Sequence, residues 1–167
     1  MRKFIAVLYT LYAFVVFISI MFVLLPFIII ASFFGKVKGG NVIYKMCRVW
    51  ARLVLLMLGM RHRNIFESPY DAGKPYVFVF NHISYIDIPV ILRSIQDKDF
   101  RVLGKAEMAK IPILGFIYRC TAVLVERNDP EKRAKSVAQL KSILSKGISV
   151  VIAPEGTFNM THKPLKY

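Results

Sequence analysis

Hydrophobic residues follow two different patterns along this chain, and the change comes near residue 74. Residues 4–34 are 31 consecutive positions without an acidic or basic side chain. A helix needs only about 20 apolar residues to cross a bilayer. Beyond residue 74, apolar runs of strand length alternate with stretches of helical periodicity. The pattern predicts an apolar N-terminal helix followed by an α/β domain.

The apolar segment is typical of a retained membrane anchor. It is about twice as long as the apolar region of a signal peptide, and no small-x-small cleavage site closes it. A straight helix of this length would reach about 46 Å, against a hydrocarbon core of about 30 Å. One tilted span and a segment kinked at Pro26 within one leaflet both fit. Basic residues flank both ends, so charge does not fix the orientation.

A second helix is predicted in "VIYKMCRVWARLVLLMLGM", residues 42–60. Lys45, Arg48 and Arg52 recur at intervals of three and four, so they share one helical face, while apolar residues occupy the rest. Such a helix can lie in the plane of the bilayer interface, or it can pack on the globular domain with a solvated basic face. We assign residues 1–63 to a membrane-anchoring helical region and residues 64–167 to the α/β domain.

The α/β domain is predicted to contain a mostly parallel sheet with flanking helices, because strands and helices alternate. Apolar runs predict strands at 76–80, 100–104, 121–127 and 148–153. Helical patterns cover 84–95 and, with interruptions at Pro112 and Gly115, 106–119. A third helix is predicted to start with Asp129 as N-cap and Pro130 at its first position, and to stop at Gly147. Its expected buried stripe is Val137, Leu140 and Leu144.

The charge balance limits the classes of partner that this protein is expected to bind. The chain has 24 Lys and Arg against 10 Asp and Glu, a net charge of +14. A basic surface beside a membrane anchor favours anionic lipid, and the aromatic residues form no base-stacking pattern typical of nucleic-acid binding. Cys47 and Cys120 are far apart, without a CxxC pair or a His/Cys cluster. We expect free thiols and no metal site.

Three polar clusters directly follow predicted strands. They are Asn81-His82 with Asp87, Lys105-Ala106-Glu107, and Pro154-Glu155-Gly156-Thr157. In an open parallel sheet, ligands bind just beyond the carboxyl ends of the strands. The sequence therefore predicts one binding site at this edge of the sheet.

His82 and Asp87 are the candidate catalytic pair. On one ideal helix, residues five apart point about 140° away from each other, so these two can meet only if His82 lies on the turn before the helix. Asp87 could then hold one ring nitrogen and leave the other as a base. The alternative is a strand-end histidine and a helix N-terminal aspartate without catalytic roles. Ser84 lacks the GxSxG pattern of a nucleophile and fits a role at the helix start.

From about residue 74 onward, "NHISYID", "GKAEMAKIPILGFIYR" and "APEGT" resemble, in order and spacing, the glycerolipid acyltransferase family that includes 1-acyl-glycerol-3-phosphate acyltransferases. The resemblance implies that His82 is a general base and Asp87 its partner. A lysophospholipid hydroxyl would attack an acyl thioester directly, giving phosphatidic acid without an acyl-enzyme. Acyl-CoA or acyl carrier protein would be the co-substrate, with no metal or prosthetic group.

The same resemblance assigns substrate-binding residues. Glu155, Gly156 and Thr157 would bind the glycerol phosphate acceptor, with Lys105 and Arg127 as the cationic candidates. Arg127 lies at the end of the third predicted strand, where the family commonly carries a phosphate-contacting arginine. The enzyme would be membrane-bound, with its catalytic domain on the cytoplasmic side.

Two features depart from the family pattern. Phe158 stands where the family usually has arginine, and a phenyl ring cannot form the bidentate phosphate contact of a guanidinium. Another lyso-lipid, such as a lyso-ornithine lipid, therefore stays open as acceptor. Family members continue well beyond the position of Tyr167, so we expect a sheet that is incomplete at its C-terminal side. A non-catalytic membrane-anchored fragment is the rival interpretation.

Overall fold

The computed structural model describes residues 2–68, 71, 73–95, 98–159 and 161. Two long helices come first, α1 (Arg2–Ser32) and α2 (Gly40–Met57), joined through a π-helical turn at Gly35–Gly39. The strands are β1 (Val77–Val79), β2 (Phe100–Lys105), β3 (Ala122–Val125) and β4 (Ser149–Ile152). The remaining α-helices are α3 (Asp87–Ser94), α4 (Leu114–Thr121) and α5 (Pro130–Leu144). This confirms the α/β class and the N-terminal helices.

The sheet is parallel throughout, in the order β1-β4-β2-β3. The last strand therefore inserts between the first two, and the loops that follow β1 and β4 become neighbours. The sheet stays open, and Val77 and Val79 on one face of the edge strand β1 are 51% and 62% exposed. The open sheet agrees with the sequence prediction.

Helix α1 is continuous across Pro26 and buries only part of its surface. Among the described residues it is the one helix long and apolar enough to cross a membrane, and most of its side chains are exposed. It packs antiparallel on α2, where the Tyr9 and Tyr12 hydroxyls donate hydrogen bonds to the carbonyl oxygens of Leu58 (2.8 Å) and Met57 (2.9 Å). Such an exposed apolar helix fits membrane association.

Helix α2 packs on the α/β domain, so the second of the two predicted arrangements is the observed one. Its apolar face shares one core with α1, α3, α4, β2 and β4, which includes Ile43, Val54 and Phe100. The predicted solvated basic face is correct for Lys45 and Arg52 and wrong for Arg48. The Arg48 guanidinium turns inward, donates to the Lys98 carbonyl and lies 5.8 Å from the Phe100 ring centre. The boundary at residue 63 stays a prediction.

The predicted helix at 106–119 is two helices. A 3₁₀ helix at Ala106–Lys110 precedes α4, and Ile113 between them has a φ of +62°. Gly115 permits the close packing of these helices, since a Cβ there would lie 2.3 Å from the Ala109 carbonyl oxygen. Pro112 and Gly115, which the sequence marks as interruptions, are thus the residues around this break.

Helix α5 begins as predicted, with the Asp129 side chain accepting from the Lys132 amide at 3.1 Å. Its predicted buried stripe is only partly correct. Leu140 is buried, but Val137 is 50% exposed. Ser136 takes the place against the sheet instead, where its hydroxyl donates to the Leu124 carbonyl at 2.8 Å. A polar residue can occupy that side because this hydrogen bond satisfies its hydroxyl.

Candidate active site

The three polar clusters lie at one edge of the sheet, beyond the carboxyl ends of its strands. His82 and Glu155 are 73 positions apart in sequence, yet the His82 amide donates to the Glu155 carboxylate at 3.1 Å. The strand order explains this contact, because β4 pairs directly with β1 and their following loops leave the sheet side by side. Lys105 ends β2 at the same edge.

The His82 and Asp87 side chains meet in the geometry that their spacing requires. His82 lies on the turn after β1, and Asp87 is the first residue of α3. Nδ1 of His82 and Oδ2 of Asp87 are 2.8 Å apart, and the same carboxylate oxygen accepts the amides of Ile83 (2.8 Å) and Ser84 (2.9 Å). The Ser84 hydroxyl accepts from the Ile86 amide at 3.3 Å, which fits the predicted role at the helix start.

This geometry fixes the tautomer of a neutral His82 ring. An ionised carboxylate only accepts hydrogen bonds, so Nδ1 must carry the proton and donate to Asp87. Nε2 then presents a lone pair, and it has no hydrogen-bond partner within the described part of the chain. The two side chains are 23% and 18% exposed, so the ring is sheltered but reachable. Chemically, the pair can act as a base and its orienting acid.

The loop after β4 contributes a turn to the same edge, and the loop after β3 contributes a cation. Gly156 has a φ of +64°, and a Cβ built on it would lie 2.8–2.9 Å from the guanidinium of Arg127. Arg127, two residues beyond β3, therefore reaches over the sheet edge to the Gly156 backbone. Thr157 is exposed beside it. The structure thus brings Arg127 and the Glu-Gly-Thr turn together.

Lys105 lies at this edge but points to solvent. Its ammonium pairs with Glu107 at 3.7 Å, and both side chains are more than half exposed. Such a pair contributes little to stability. The Tyr118 hydroxyl packs over Gly104, the residue before Lys105. Burial raises the pKa of Tyr118, while a hydrogen bond to the Lys105 backbone and the charge of Arg127 oppose that rise.

Sequence reasoning missed three contributors to the site. Asn159 donates to Glu155 and to the His82 carbonyl. The Phe158 ring packs on the imidazole of His82, and the Tyr85 ring meets Phe158 edge-on. The sequence shows Phe158 only as a departure from the family pattern. The tyrosine inside "NHISYID" was an available signal, since an aromatic residue in a polar turn needs a packing partner.

Among the described residues, no group of three or more His, Cys, Asp or Glu side chains is placed to hold a metal ion. Cys47 and Cys120 are free thiols. Burial raises the pKa of Cys47 to about 12 and also raises that of Cys120. Both thiols are therefore protonated and poorly nucleophilic at neutral pH.

Comparison with known proteins identifies the class. The acyltransferase family model matches residues 61–167, and this chain belongs to that family. It is 34% identical over 111 residues to the lyso-ornithine lipid O-acyltransferase of Rhizobium meliloti (strain 1021), covering 66% of this chain and 36% of that protein. It is 28% identical over 113 residues to 1-acyl-sn-glycerol-3-phosphate acyltransferase LPAT1, chloroplastic, of Arabidopsis thaliana, covering 67% and 31%.

A solved structure shows the same fold. The crystal structure of the 1-acyl-sn-glycerophosphate (LPA) acyltransferase PlsC from Thermotoga maritima aligns with a TM-score of 0.68 at 24% identity. The alignment covers 95% of this chain and 64% of that one. Against the curated relatives from Rhizobium and Arabidopsis, the chain spans about a third of their length.

Proposed function

We propose that this protein is a membrane-associated O-acyltransferase that moves a fatty acyl group from a thioester to the free hydroxyl of a lyso-lipid. The leading acceptor is 1-acyl-glycerol-3-phosphate, which would give phosphatidic acid. One observation carries the proposal: the 2.8 Å contact that fixes His82 against Asp87 and leaves Nε2 as the lone-pair nitrogen. The family relationship supports the reaction class.

In the proposed mechanism, Nε2 of His82 takes the proton of the lipid hydroxyl as its oxygen attacks the thioester carbonyl carbon. The carbon–sulfur bond then breaks, and the thiolate leaves with the proton from the imidazolium. A thiol of pKa near 8.5 is a good leaving group, so no acyl-enzyme is required. General-base catalysis accelerates such a reaction about 10²- to 10⁴-fold, and positioning of the two substrates accelerates it further. This chemistry needs no metal or prosthetic group.

The acceptor headgroup would lie over the edge formed by Lys105, Arg127, Gly156 and Thr157. Arg127 supplies a guanidinium suited to a phosphate, and the Gly156 turn lets an anion approach the backbone closely. Lys105 is half exposed and adds a second positive charge. The proposed donor is acyl-CoA or acyl carrier protein, and the α/β domain would then face the cytoplasm. Helix α1 and the net charge of +14 suit an anionic bilayer surface.

A second acceptor, a lyso-ornithine lipid, is favoured by two observations. Phe158 gives the turn an aromatic ring instead of a further cation, and the relative from Rhizobium meliloti is a lyso-ornithine lipid O-acyltransferase. A zwitterionic headgroup needs fewer cationic contacts than a phosphate monoester does.

The test uses the purified chain in lipid vesicles. Lysophosphatidic acid, lyso-ornithine lipid and lysophosphatidylcholine are offered in turn, with acyl-CoA or acyl carrier protein as donor, and products are identified by mass spectrometry. We expect acyl transfer to at least one acceptor. His82→Ala should lower the transfer rate about 10²- to 10⁴-fold, and the matched variant His62→Ala should leave it unchanged. Undiminished transfer by His82→Ala would refute the mechanism, and a folded chain without transfer would favour the inactive fragment.

A further inference from the structure

The segment Glu155–Asn159 holds the backbone of His82 through a closed set of hydrogen bonds. Oε2 of Glu155 accepts the His82 amide at 3.1 Å, and the Asn159 amide donates to the His82 carbonyl at 2.6 Å. The Asn159 side chain in turn donates to Oε1 of Glu155 at 2.7 Å. Both carboxylate oxygens of Glu155 are thus engaged by the protein itself.

The same segment contacts the imidazole ring of His82. The Phe158 ring lies 4.3 Å from it between centroids, tilted by 45°. Tyr85 meets Phe158 edge-on at 4.7 Å, and Phe80 lies 5.5 Å from the imidazole. The Phe158 ring therefore packs against both the imidazole of His82 and the ring of Tyr85.

These contacts complement the hydrogen bond from Asp87. The hydrogen bond from Nδ1 restricts the ring but leaves it some freedom to tilt about that contact, so it sets the direction of Nε2 only in part. A ring packed on the imidazole restricts the tilt. Reaction rates depend steeply on such alignment, because a misplacement of about 1 Å can cost about 10²-fold.

We propose that Glu155–Asn159 is a positioning segment for His82, in which Phe158 orients the imidazole while Glu155 and Asn159 hold its backbone. The catalytic consequence rests on the proposed function, because orientation affects the rate only if His82 is the base. The role of Glu155 here differs from the substrate contact that the family resemblance implies.

The kinetic test compares Phe158→Leu with the unmodified chain. Leucine keeps the site apolar but removes the ring, so we expect kcat to fall about 3- to 10-fold, the size of an aromatic pair contact, with KM for the acceptor unchanged. Phe158→Tyr keeps the ring and should restore kcat. Phe14→Leu, at a 65% exposed position of α1, is the matched control and should leave kcat unchanged.

A double variant shows whether Phe158 acts through His82. In a His82→Ala background, Phe158→Leu should cause no further loss of the residual rate, because the ring it orients is gone. The proposal is overturned if Phe158→Leu raises only the acceptor KM, or lowers the residual rate of His82→Ala to the same degree. Either result would make Phe158 a substrate contact.

A spectroscopic readout separates this inference from the proposed function. The chain has three histidines, so His62→Gln with His162→Gln leaves His82 as the only one. In ¹⁵N-histidine-labelled protein in detergent, Phe158→Leu should shift the ring resonances through loss of the ring current and retain the Nδ1-protonated pattern. Unchanged resonances would overturn the proposal. If they shift while no acceptor is acylated, the proposed function fails and the positioning contact stands.

Discussion

The sheet carries one polar network at the amino ends of its strands and another at their carboxyl ends, and the two differ in which groups stay free for a ligand. At its amino end, the Arg101 guanidinium is buried and donates to Phe100 O, Lys36 O, Val37 O and the Asn41 side chain at 2.7–3.1 Å. At its carboxyl end, Lys105, the last residue of β2, is half exposed, and His82, which follows β1, keeps Nε2 unoccupied within the described residues. In the first network the guanidinium of Arg101 donates to groups of the protein itself. In the second, the Lys105 ammonium and Nε2 of His82 are accessible to a ligand.

This difference distinguishes a structural polar cluster from a functional one. Asn41 also donates to Asp99 at 2.5 Å, so Arg101 and Asp99 together fasten the start of α2 to the sheet. Burial lowers the pKa of Arg101, and the nearby Tyr44 and Asp99 oppose that shift. An arginine so placed stays charged, and it stabilises the fold by donating to carbonyl oxygens of both the sheet and the segment before α2.

The largest predicted effect is on stability, from breaking the amino-end network. Arg101→Met should lower the free energy of unfolding by about 2–4 kcal/mol, because it removes this charged donor from the buried Phe100 carbonyl and from the part-buried Lys36 and Val37 carbonyls. Chemical denaturation in detergent would measure the loss. Arg52→Met, on the exposed side of α2, is the matched control and should stay within about 0.5 kcal/mol. Equal midpoints for the two variants would contradict the assigned role of Arg101.

The second prediction breaks the carboxyl-end network and should affect catalysis instead. Asp87→Asn keeps an oxygen that can accept the Ile83 and Ser84 amides but loses the charge that stabilises the imidazolium. We expect kcat for acyl transfer to fall about 10- to 100-fold, because a hydrogen bond to a charged group contributes about 1.5–3 kcal/mol.

Its matched control is Asp71→Asn, an exposed carboxylate that also accepts a backbone amide, from Gly73 at 2.8 Å. That variant should retain full activity. If both variants lose activity equally, or neither does, the His82–Asp87 pair is not the source of the rate. Thermal unfolding of the two variants should be similar, which would separate this effect from that of Arg101→Met.

Local signals in the sequence were enough to predict the elements and the parallel sheet. The Asp129-Pro130 start of α5 and the four strand positions follow from capping chemistry and apolar runs that act within a few residues. The predicted exposure of Arg48 and the predicted burial of Val137 were wrong, because each depends on contacts that only the tertiary fold supplies. Lys98 and Phe100 receive Arg48, and Ser136 displaces Val137 from the sheet.

The site was predictable to the extent that it is local. The His82–Asp87 contact spans five residues and follows from helix geometry, whereas the Glu155–His82 contact depends on β4 inserting beside β1. Strand order is a property of the whole domain, and nothing within the "APEGT" segment encodes it. The substrate roles of Lys105, Arg127, Gly156 and Thr157 stay predictions until acceptors are tested.

The smallest predicted effect isolates the contact between Arg127 and the Gly156 turn. Gly156 and Gly147 have similar positive φ angles, +64° and +76°, so alanine at either should cost about 1–2 kcal/mol of stability. Only at Gly156 would the new Cβ meet a neighbour, the Arg127 guanidinium at 2.8–2.9 Å, and nothing lies within 4 Å at Gly147. Because that guanidinium ends a flexible, exposed side chain, it can move aside at little further cost.

Gly156→Ala should therefore raise the KM for lysophosphatidic acid, whereas Gly147→Ala should not, although the two variants are equally stable. Identical KM values in the two variants would remove Arg127 from the acceptor site and strengthen the case for a zwitterionic acceptor beside Phe158.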